Sequence, residues 1–326
     1  MSMGLHWGII GGGILGMTLA SELSRFGHTV NIFEAGPEPG GLASAWQIGD
    51  VVWDRHYHVT LASDSALRGL LAELGLDLQM CWRQTRTGFY CGGQLHSFSS
   101  AVDYLRFPLL TPFEKLLFGL AVARAARLES PDKIEHLTVE EWLTRISGRS
   151  VFEKMWRPLL RAKLGDDYRS TSAAFMWATI RRMFAARRSG LREERFGYLP
   201  GGYARMLPVF ADALQRAGVR LTLNAPAREV TAVPDGVEVR FQDRTTRRFD
   251  RVVLTTPAPL AAALCPQLHP VEADSLKSVE YLGIVCVSLL LRRPLSEFYI
   301  TNIADETIPL TGIIEMSALV DRQMFG

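Results

Sequence analysis

Residues 6–16 read His6-Trp7-Gly8-Ile9-Ile10-Gly11-Gly12-Gly13-Ile14-Leu15-Gly16. The apolar run over residues 5–10 predicts a buried strand. The six residues from Gly11 to Gly16 match G-x-G-x-x-G. Each glycine answers its own steric demand. Gly11 permits a tight turn from strand to helix, Gly13 lets a pyrophosphate approach the backbone, and Gly16 lets the helix pack closely on the strand. Gly12, Ile14 and Leu15 complete a loop that offers free N–H groups and the positive end of a helix dipole to phosphate.

The neighbouring chain supplies the context that this motif requires. Residues 14–26 carry Ile14, Met17, Leu19, Leu23 and Phe26 at helical spacing, and Gly27 is a natural terminator. Residues 29–34 are β-rich, with Thr29, Val30, Ile32 and Phe33. The whole is a β-α-β unit of roughly 30 residues. Glu34 ends the second strand, 23 residues beyond Gly11, where a carboxylate can accept hydrogen bonds from a ribose diol. The expected fold class is α/β, with a Rossmann-like dinucleotide-binding domain.

Further along, the pattern becomes helical. Thr111-Pro112-Phe113-Glu114 is a capping box with proline at the first helical position, and Thr138 with Glu141 forms a second, closed by Gly148. From Ser172 a third helix puts Ala173, Met176, Trp177, Ile180, Met183 and Phe184 on one face and should end near Gly190. A helix over 203–217 should stop at Gly218. Strands are expected at 219–223, 228–233, 237–242 and 250–256, with Pro234-Asp235-Gly236 as a hairpin turn. The apolar run Val279–Leu291 also reads as a strand, followed by others at 298–302 and 312–316.

Composition narrows the classes of function. The chain has 326 residues, 48% of them hydrophobic and 21% charged, which suits two folded domains rather than a disordered chain. A net charge of +2 gives no support to nucleic-acid binding, and only five of the 36 basic residues are lysine. Cys81, Cys91, Cys265 and Cys286 show neither metal spacing nor a disulfide framework, so no metal and a reducing, cytoplasmic setting are expected. The first residues lack a basic leader pattern, and no apolar run reaches the ~20 residues of a spanning helix, so a soluble or membrane-peripheral protein is expected.

After Glu34 the sequence runs Ala35-Gly36-Pro37-Glu38-Pro39-Gly40-Gly41-Leu42-Ala43-Ser44. With this second glycine pair the chain resembles the flavin-containing amine oxidase, phytoene desaturase and protoporphyrinogen oxidase superfamily. Asp54-Arg55-His56-Tyr57-His58 is similar to that family's D-x-G-x-H segment, with His56 in place of glycine. Leu199-Pro200-Gly201-Gly202-Tyr203, Asn224-Ala225-Pro226-Ala227 and Asp250–Pro257 resemble later landmarks, in the family's order. The resemblance implies FAD as cofactor and hydride transfer from an organic substrate, anionic or lipophilic, to the flavin. It implies cofactor contacts at Glu34, Ala35, Gly41, Leu42, Ala227 and Thr255, with Leu42 standing where many members have arginine. It implies an FAD domain over 1–62 and 197–262, interrupted by a helical and β-sheet substrate domain over 63–196 and 263–326. Family members continue past the segment equivalent to 279–316 into a closing element that contacts FAD. The chain is therefore expected to be truncated. UDP-galactopyranose mutase, a flavin isomerase, and the non-catalytic GDP-dissociation inhibitors share parts of the pattern and stand as alternatives.

Other features are less decisive. His58 reads equally as a residue near the flavin and as a structural histidine. Arg157, Arg161, Lys163, Arg181, Arg182, Arg187, Arg188, Arg192 and Arg195 could serve an anionic substrate or acidic lipid, but a solvated helix face is the favoured reading. Trp142, Trp156, Trp177 and Phe184 read as core. No catalytic base is identifiable.

Overall fold

The computed structural model describes residues 4–188, 195–305 and 307–325. The chain packs as two compact units. The first comprises 1–58, 69–79 and 199–287; the second comprises 59–68, 80–198 and 288–326.

The first unit is built on strand β1, His6–Ile10, and helix α1, Ile14–Arg25, which leads into strand β2, Thr29–Phe33. β1 pairs in parallel with β2 on one side and with Arg251–Leu254 on the other; β2 pairs in parallel with Arg220–Thr222. A parallel sheet must be covered on both faces, which is why its two central strands are mostly apolar. Ile9, Ile10, Val30, Ile32 and Phe33 are all buried. Met17 and Ala20 seat α1 on one face with no exposed surface. Facing Ile10 and Phe33 is an antiparallel meander of Ala227–Val233, Gly236–Phe241 and Thr246–Phe249. Val230, Val239, Phe241 and Phe249 join Ile10 and Phe33 in one apolar cluster, with the Phe33 and Phe241 rings 4.6 Å apart. The hairpin expected at Pro234-Asp235-Gly236 is present, pairing Val233 with Gly236. The helix Gly202–Arg216 buries Met206, Leu207, Phe210 and Leu214 and turns out through Gly218 at φ 83°.

In the second unit both capping boxes form as the sequence requires, at the head of Pro112–Arg127 and of Val139–Ser147. Trp142, Leu143, Phe152, Trp156 and Leu160 make its core with Ala173 and Ile180 of the helix Ala173–Arg188. The helical path between Arg149 and Leu164 widens to a π-turn over Phe152–Trp156. The wide turn stands just before Pro158, which has no N–H to give to the preceding turn. A four-stranded sheet orders Gly312–Ile314, Ile300–Ile303, Thr87–Cys91 and Gln94–Ser97. A smaller sheet orders Thr60–Leu61, Arg195–Tyr198 and Cys81–Gln84. Gly190, the expected helix end, lies outside the described residues.

One expectation is corrected. Val279–Leu291 has no regular secondary structure, and Ile284, Val285, Val287 and Leu289 are exposed. Apolar content alone does not make a strand. The N–H and C=O groups must pair with a neighbour, and no described strand lies alongside this run.

Within the second unit, Glu114 is a polar joint. Its carboxylate accepts from Lys154 Nζ at 2.7 and 2.9 Å, from Ser150 Oγ at 2.5 Å and from the Thr111 amide at 2.8 Å. The Lys154 ammonium first, then Ser150 and the Thr111 amide, pull its pKa down to about 2. A depressed carboxyl pKa contributes stability that is present above the unfolded value and lost as pH falls through the folded one. Glu114→Gln is therefore expected to cost on the order of 1–2 kcal/mol near pH 7, after allowing for the partly exposed Lys154. Urea unfolding from pH 7 downward checks this: the difference from wild type should shrink between the ordinary carboxyl range near 4.5 and about 2.

Candidate functional site

Backbone conformation and close approach build the site. Gly11 turns the chain out of β1 at φ 117°, and its amide donates to Phe33 O at 2.8 Å. At Gly16 an added methyl would stand 2.0 Å from Gly11 O, so only glycine lets α1 lie so near the turn. Gly13 is the N-cap of α1 and offers no side chain to cap it, and the first turn carries no acid. The amides that open α1 thus point outward without a carboxylate or hydroxyl from the chain. A methyl on Gly13 would meet only Gly41 Cα, at 3.9 Å, so the space before the helix is open. Leu15 flanks it and is exposed.

Glu34 fastens this turn to the next one. Its Oε2 accepts from the Gly12 amide at 2.7 Å, and its Oε1 accepts from the Gly36 amide at 2.8 Å. A carboxylate offers about four lone-pair positions. Two hold the backbone, and the remainder are available to a diol. Ala35 is exposed beside it. The Glu34 and Gly36 carbonyls accept from the Ala225 and Asn224 amides, both at 2.9 Å. Those bonds bring the segment ending at Ala227 to the same edge. Ala227 opens the meander, and a register shift follows it before Glu229.

The second glycine pair comes back onto the first. The Gly40 amide donates to Gly12 O at 2.8 Å, and Gly13 and Gly40 form a parallel bridge. Gly40 has φ 118°, with a would-be methyl 2.5 Å from Leu207 Cδ1; Gly41 follows at φ 57°. Leu42 is exposed. Thr255 closes the other side, its hydroxyl donating to Gly11 O at 3.1 Å and Ile10 O at 3.2 Å. The next hydroxyl, Thr256 Oγ1, is a buried atom with no partner among the described residues.

The structure thus gathers Gly11, Gly12, Gly13, Ile14, Leu15, Gly16, Glu34, Ala35, Gly41, Leu42 and Thr255 around one open helix terminus, with Ala227 on the adjoining edge. Gly40, the first of the second glycine pair, carries the bridge. Gly36, visible in the sequence only as a turn glycine, supplies an amide to Glu34.

His58 has other company. Its Nδ1 stands 3.6 Å from Asp54 Oδ2, and its ring lies 4.6 Å from that of Tyr203. No described bond links it to the glycine turn. Asp54 is buried and accepts from the Tyr203 amide at 2.7 Å, while Gly202 presses so close that a methyl would stand 2.6 Å from Asp54 Oδ1. Asp54 therefore serves the helix Gly202–Arg216 as a cap brought from 149 residues away, which no local pattern could announce.

In the second unit, the basic cluster is largely engaged. Arg157 pairs with Glu153 at 2.5 Å, Arg161 with Asp166 at 3.5 Å, and Arg182 holds Asp64 through two nitrogens at 2.7 and 3.0 Å. Arg181 donates to Glu129 O at 2.9 Å and covers Trp177. Lys163 lies over the Phe175 ring, and Arg195 begins a strand. Arg192 and the side chains of Arg187 and Arg188 lie outside the described residues.

The family model of flavin containing amine oxidoreductases matches residues 16–322. A putative flavin-containing monoamine oxidase, AofH, of Mycobacterium tuberculosis is 24% identical over 276 residues, covering 80% of this chain and 59% of its own length. A 15-cis-phytoene desaturase of Synechococcus elongatus is 20% identical over 291 residues, covering 84% of this chain and 60% of its own. The crystal structure of a putative protoporphyrinogen oxidase from Exiguobacterium superposes with a TM-score of 0.69 at 18% identity, covering 98% of this chain and 74% of that one. The chain spans about three-fifths of the length of the two curated relatives.

Two substitutions probe the site. Gly16→Ala forces a methyl against a carbonyl that cannot swing away, and a loss of about 1–3 kcal/mol is expected in urea unfolding. Asp54→Ala leaves the Tyr203 amide without its acceptor, and a loss of about 1–2 kcal/mol is expected, as for other helix caps. Asp54→Asn, which keeps an acceptor, should recover most of it.

Proposed function

The chain belongs to the flavin containing amine oxidoreductase family, matched over residues 16–322, and we propose that it is an FAD-dependent oxidoreductase of amine oxidase or desaturase type. When bound, FAD supplies a hydride acceptor for oxidation of a C–H beside nitrogen or of a C–C bond being desaturated. The residues of this chain hold and orient the cofactor. The amides of Gly13, Ile14, Leu15 and Gly16 take the diphosphate, and their outward direction at an uncapped helix start favours negative charge. Glu34 takes the ribose hydroxyls, already oriented by Gly12 and Gly36. The backbone of Ala227 meets the adenine. Gly41 and Leu42 serve through their backbone, and Thr255 fixes the Gly11 turn from below. His58 stands as a positioning residue, its ring set between Asp54 and Tyr203.

The single observation that carries the reading is the doubly anchored Glu34. An acid held by two amides at 2.7 and 2.8 Å, beside a helix start with no cap of its own, is a built acceptor for a diol next to a phosphate. The substrate is a small organic molecule. The relatives named above include a putative monoamine oxidase and a phytoene desaturase, and amines and conjugated polyenes are the two classes to assay first.

Reconstitution with FAD is the test. The protein should take up flavin and quench its fluorescence. Glu34→Ala removes hydrogen bonds to a charged acceptor, and a loss of roughly ten- to a hundredfold in FAD affinity is expected. A wild-type protein that stays colourless after incubation with FAD overturns the proposal. Anaerobic bleaching by an amine or by a polyene then assigns the class. Tight UDP binding without bleaching by either would move the reading to a flavin isomerase.

A further inference from the structure

The second unit carries an apolar surface unrelated to the glycine turn. Two consecutive helices, Ala101–Arg106 and Pro112–Arg127, lie against each other. Tyr104 donates its hydroxyl to Lys115 O, and Lys115 Nζ reaches Leu105 O at 2.5 Å. Between them is an open hollow of about 550 Å³, lined by Leu105, Leu116 and Leu120 among others. At Gly119, on its wall, a methyl would meet only Tyr104 Oη, at 3.9 Å. Val102, Leu105, Phe113, Leu116 and Leu120 are exposed by 52, 67, 67, 58 and 43%. The opposite side of the longer helix is the one that folds the protein, with Glu114, Ala121 and Ala125 buried and Leu117, Phe118 and Val122 packed on the core.

Along the longer helix the outer stripe has a direction. Phe113, Leu116, Leu120, Arg124 and Arg127 follow at steps of three, four, four and three residues, so they share one face. Its first half is apolar and its last two turns are basic. Arg106 and Lys115 add positive charge beside the hollow. The two acids on these helices face elsewhere: Asp103 is tied to Ser97 and the amides of Ser99 and Ser100, and Glu114 is buried on Lys154. Arg106, Arg124 and Arg127 take part in no ion pair among the described residues. No described helix is long and apolar enough to cross a membrane.

We propose that this face docks on an anionic lipid surface, with Val102, Leu105, Phe113, Leu116 and Leu120 entering the headgroup–acyl boundary and Arg124 and Arg127 engaging lipid phosphates. Charge complementarity selects the occupant. An apolar hollow lined by Lys115, on two helices that also carry Arg106, Arg124 and Arg127, suits a phosphate-bearing surface, whereas a second copy would bring the same cations face to face. The proposal is independent of what the glycine turn binds.

Vesicle co-sedimentation of the full chain tests it. The protein should partition onto phosphatidylcholine vesicles containing phosphatidylglycerol, more weakly onto phosphatidylcholine alone, and less as salt is raised. Arg124→Ala with Arg127→Ala should lower partition onto the anionic vesicles roughly thirtyfold, from the usual contribution of a basic residue near such a surface. Leu116→Asp should abolish it, and because Leu116 is exposed the thermal melt of that variant should match wild type. Equal partition of wild type and both variants, or none by wild type, overturns the proposal. So does a concentration-dependent doubling of mass in light scattering that Leu116→Asp abolishes while lipid binding is absent, which assigns the face to a second copy.

Discussion

The closeness of α1 to the turn before it sets the geometry of the first unit. With Gly16 against the Gly11 carbonyl, the helix starts directly at the end of β1, and its first amides point into open space. Any larger side chain at either glycine would push the helix off the sheet. The rest of the site answers to that contact. Thr255 binds the carbonyls of Ile10 and Gly11 from the next strand, and Glu34 takes the Gly12 amide from the strand on the other side. The turn is thus held from both neighbours, with its Gly11 and Gly12 amides engaged, while the start of the helix carries no side-chain cap.

Carboxylates recur through the molecule as clamps on backbone amides. Glu34 joins two glycine turns, and Asp54 caps a helix far away in the chain. Asp250 accepts from the His6 amide at 2.6 Å, where β1 begins. In the second unit Asp305 spans the amides of Gly92 and Gly93 at 2.7 and 3.0 Å. An amide left unpaired inside a protein is costly, and an ionised acceptor forms the stronger kind of hydrogen bond. Turns that approach other chain segments closely are glycine-rich, have no side chains to cap themselves, and take acids from elsewhere.

What could be read from the sequence follows the range of each interaction. The β-α-β unit, the two capping boxes and the Pro234–Gly236 hairpin are local, and they stand where their residues put them. Glu34 was legible because the β-α-β unit puts an acid at the end of its second strand, at a fixed distance from the glycines. Asp54 was not, since its partner is the amide of Tyr203 and an amide leaves no mark in a sequence. The parallel pairing of Ile300–Ile303 with Thr87–Cys91 joins segments more than two hundred residues apart. The same limit explains Val279–Leu291, whose side chains suit a buried strand but whose backbone has no described strand to pair with. The exposed stripe at Phe113, Leu116 and Leu120 reads as ordinary helix periodicity until the buried side is known.

That unpaired run has a colloidal consequence. Val279 to Leu291 carries branched and aromatic side chains, a single charge at Glu280, and no proline, the composition of a segment that stacks with copies of itself. Arg292 and Arg293 follow at once, and both are exposed. Two adjacent cations at the end of such a segment repel an in-register copy. The two arginines therefore oppose self-stacking of this segment, and ionic strength, which screens them, weakens that opposition.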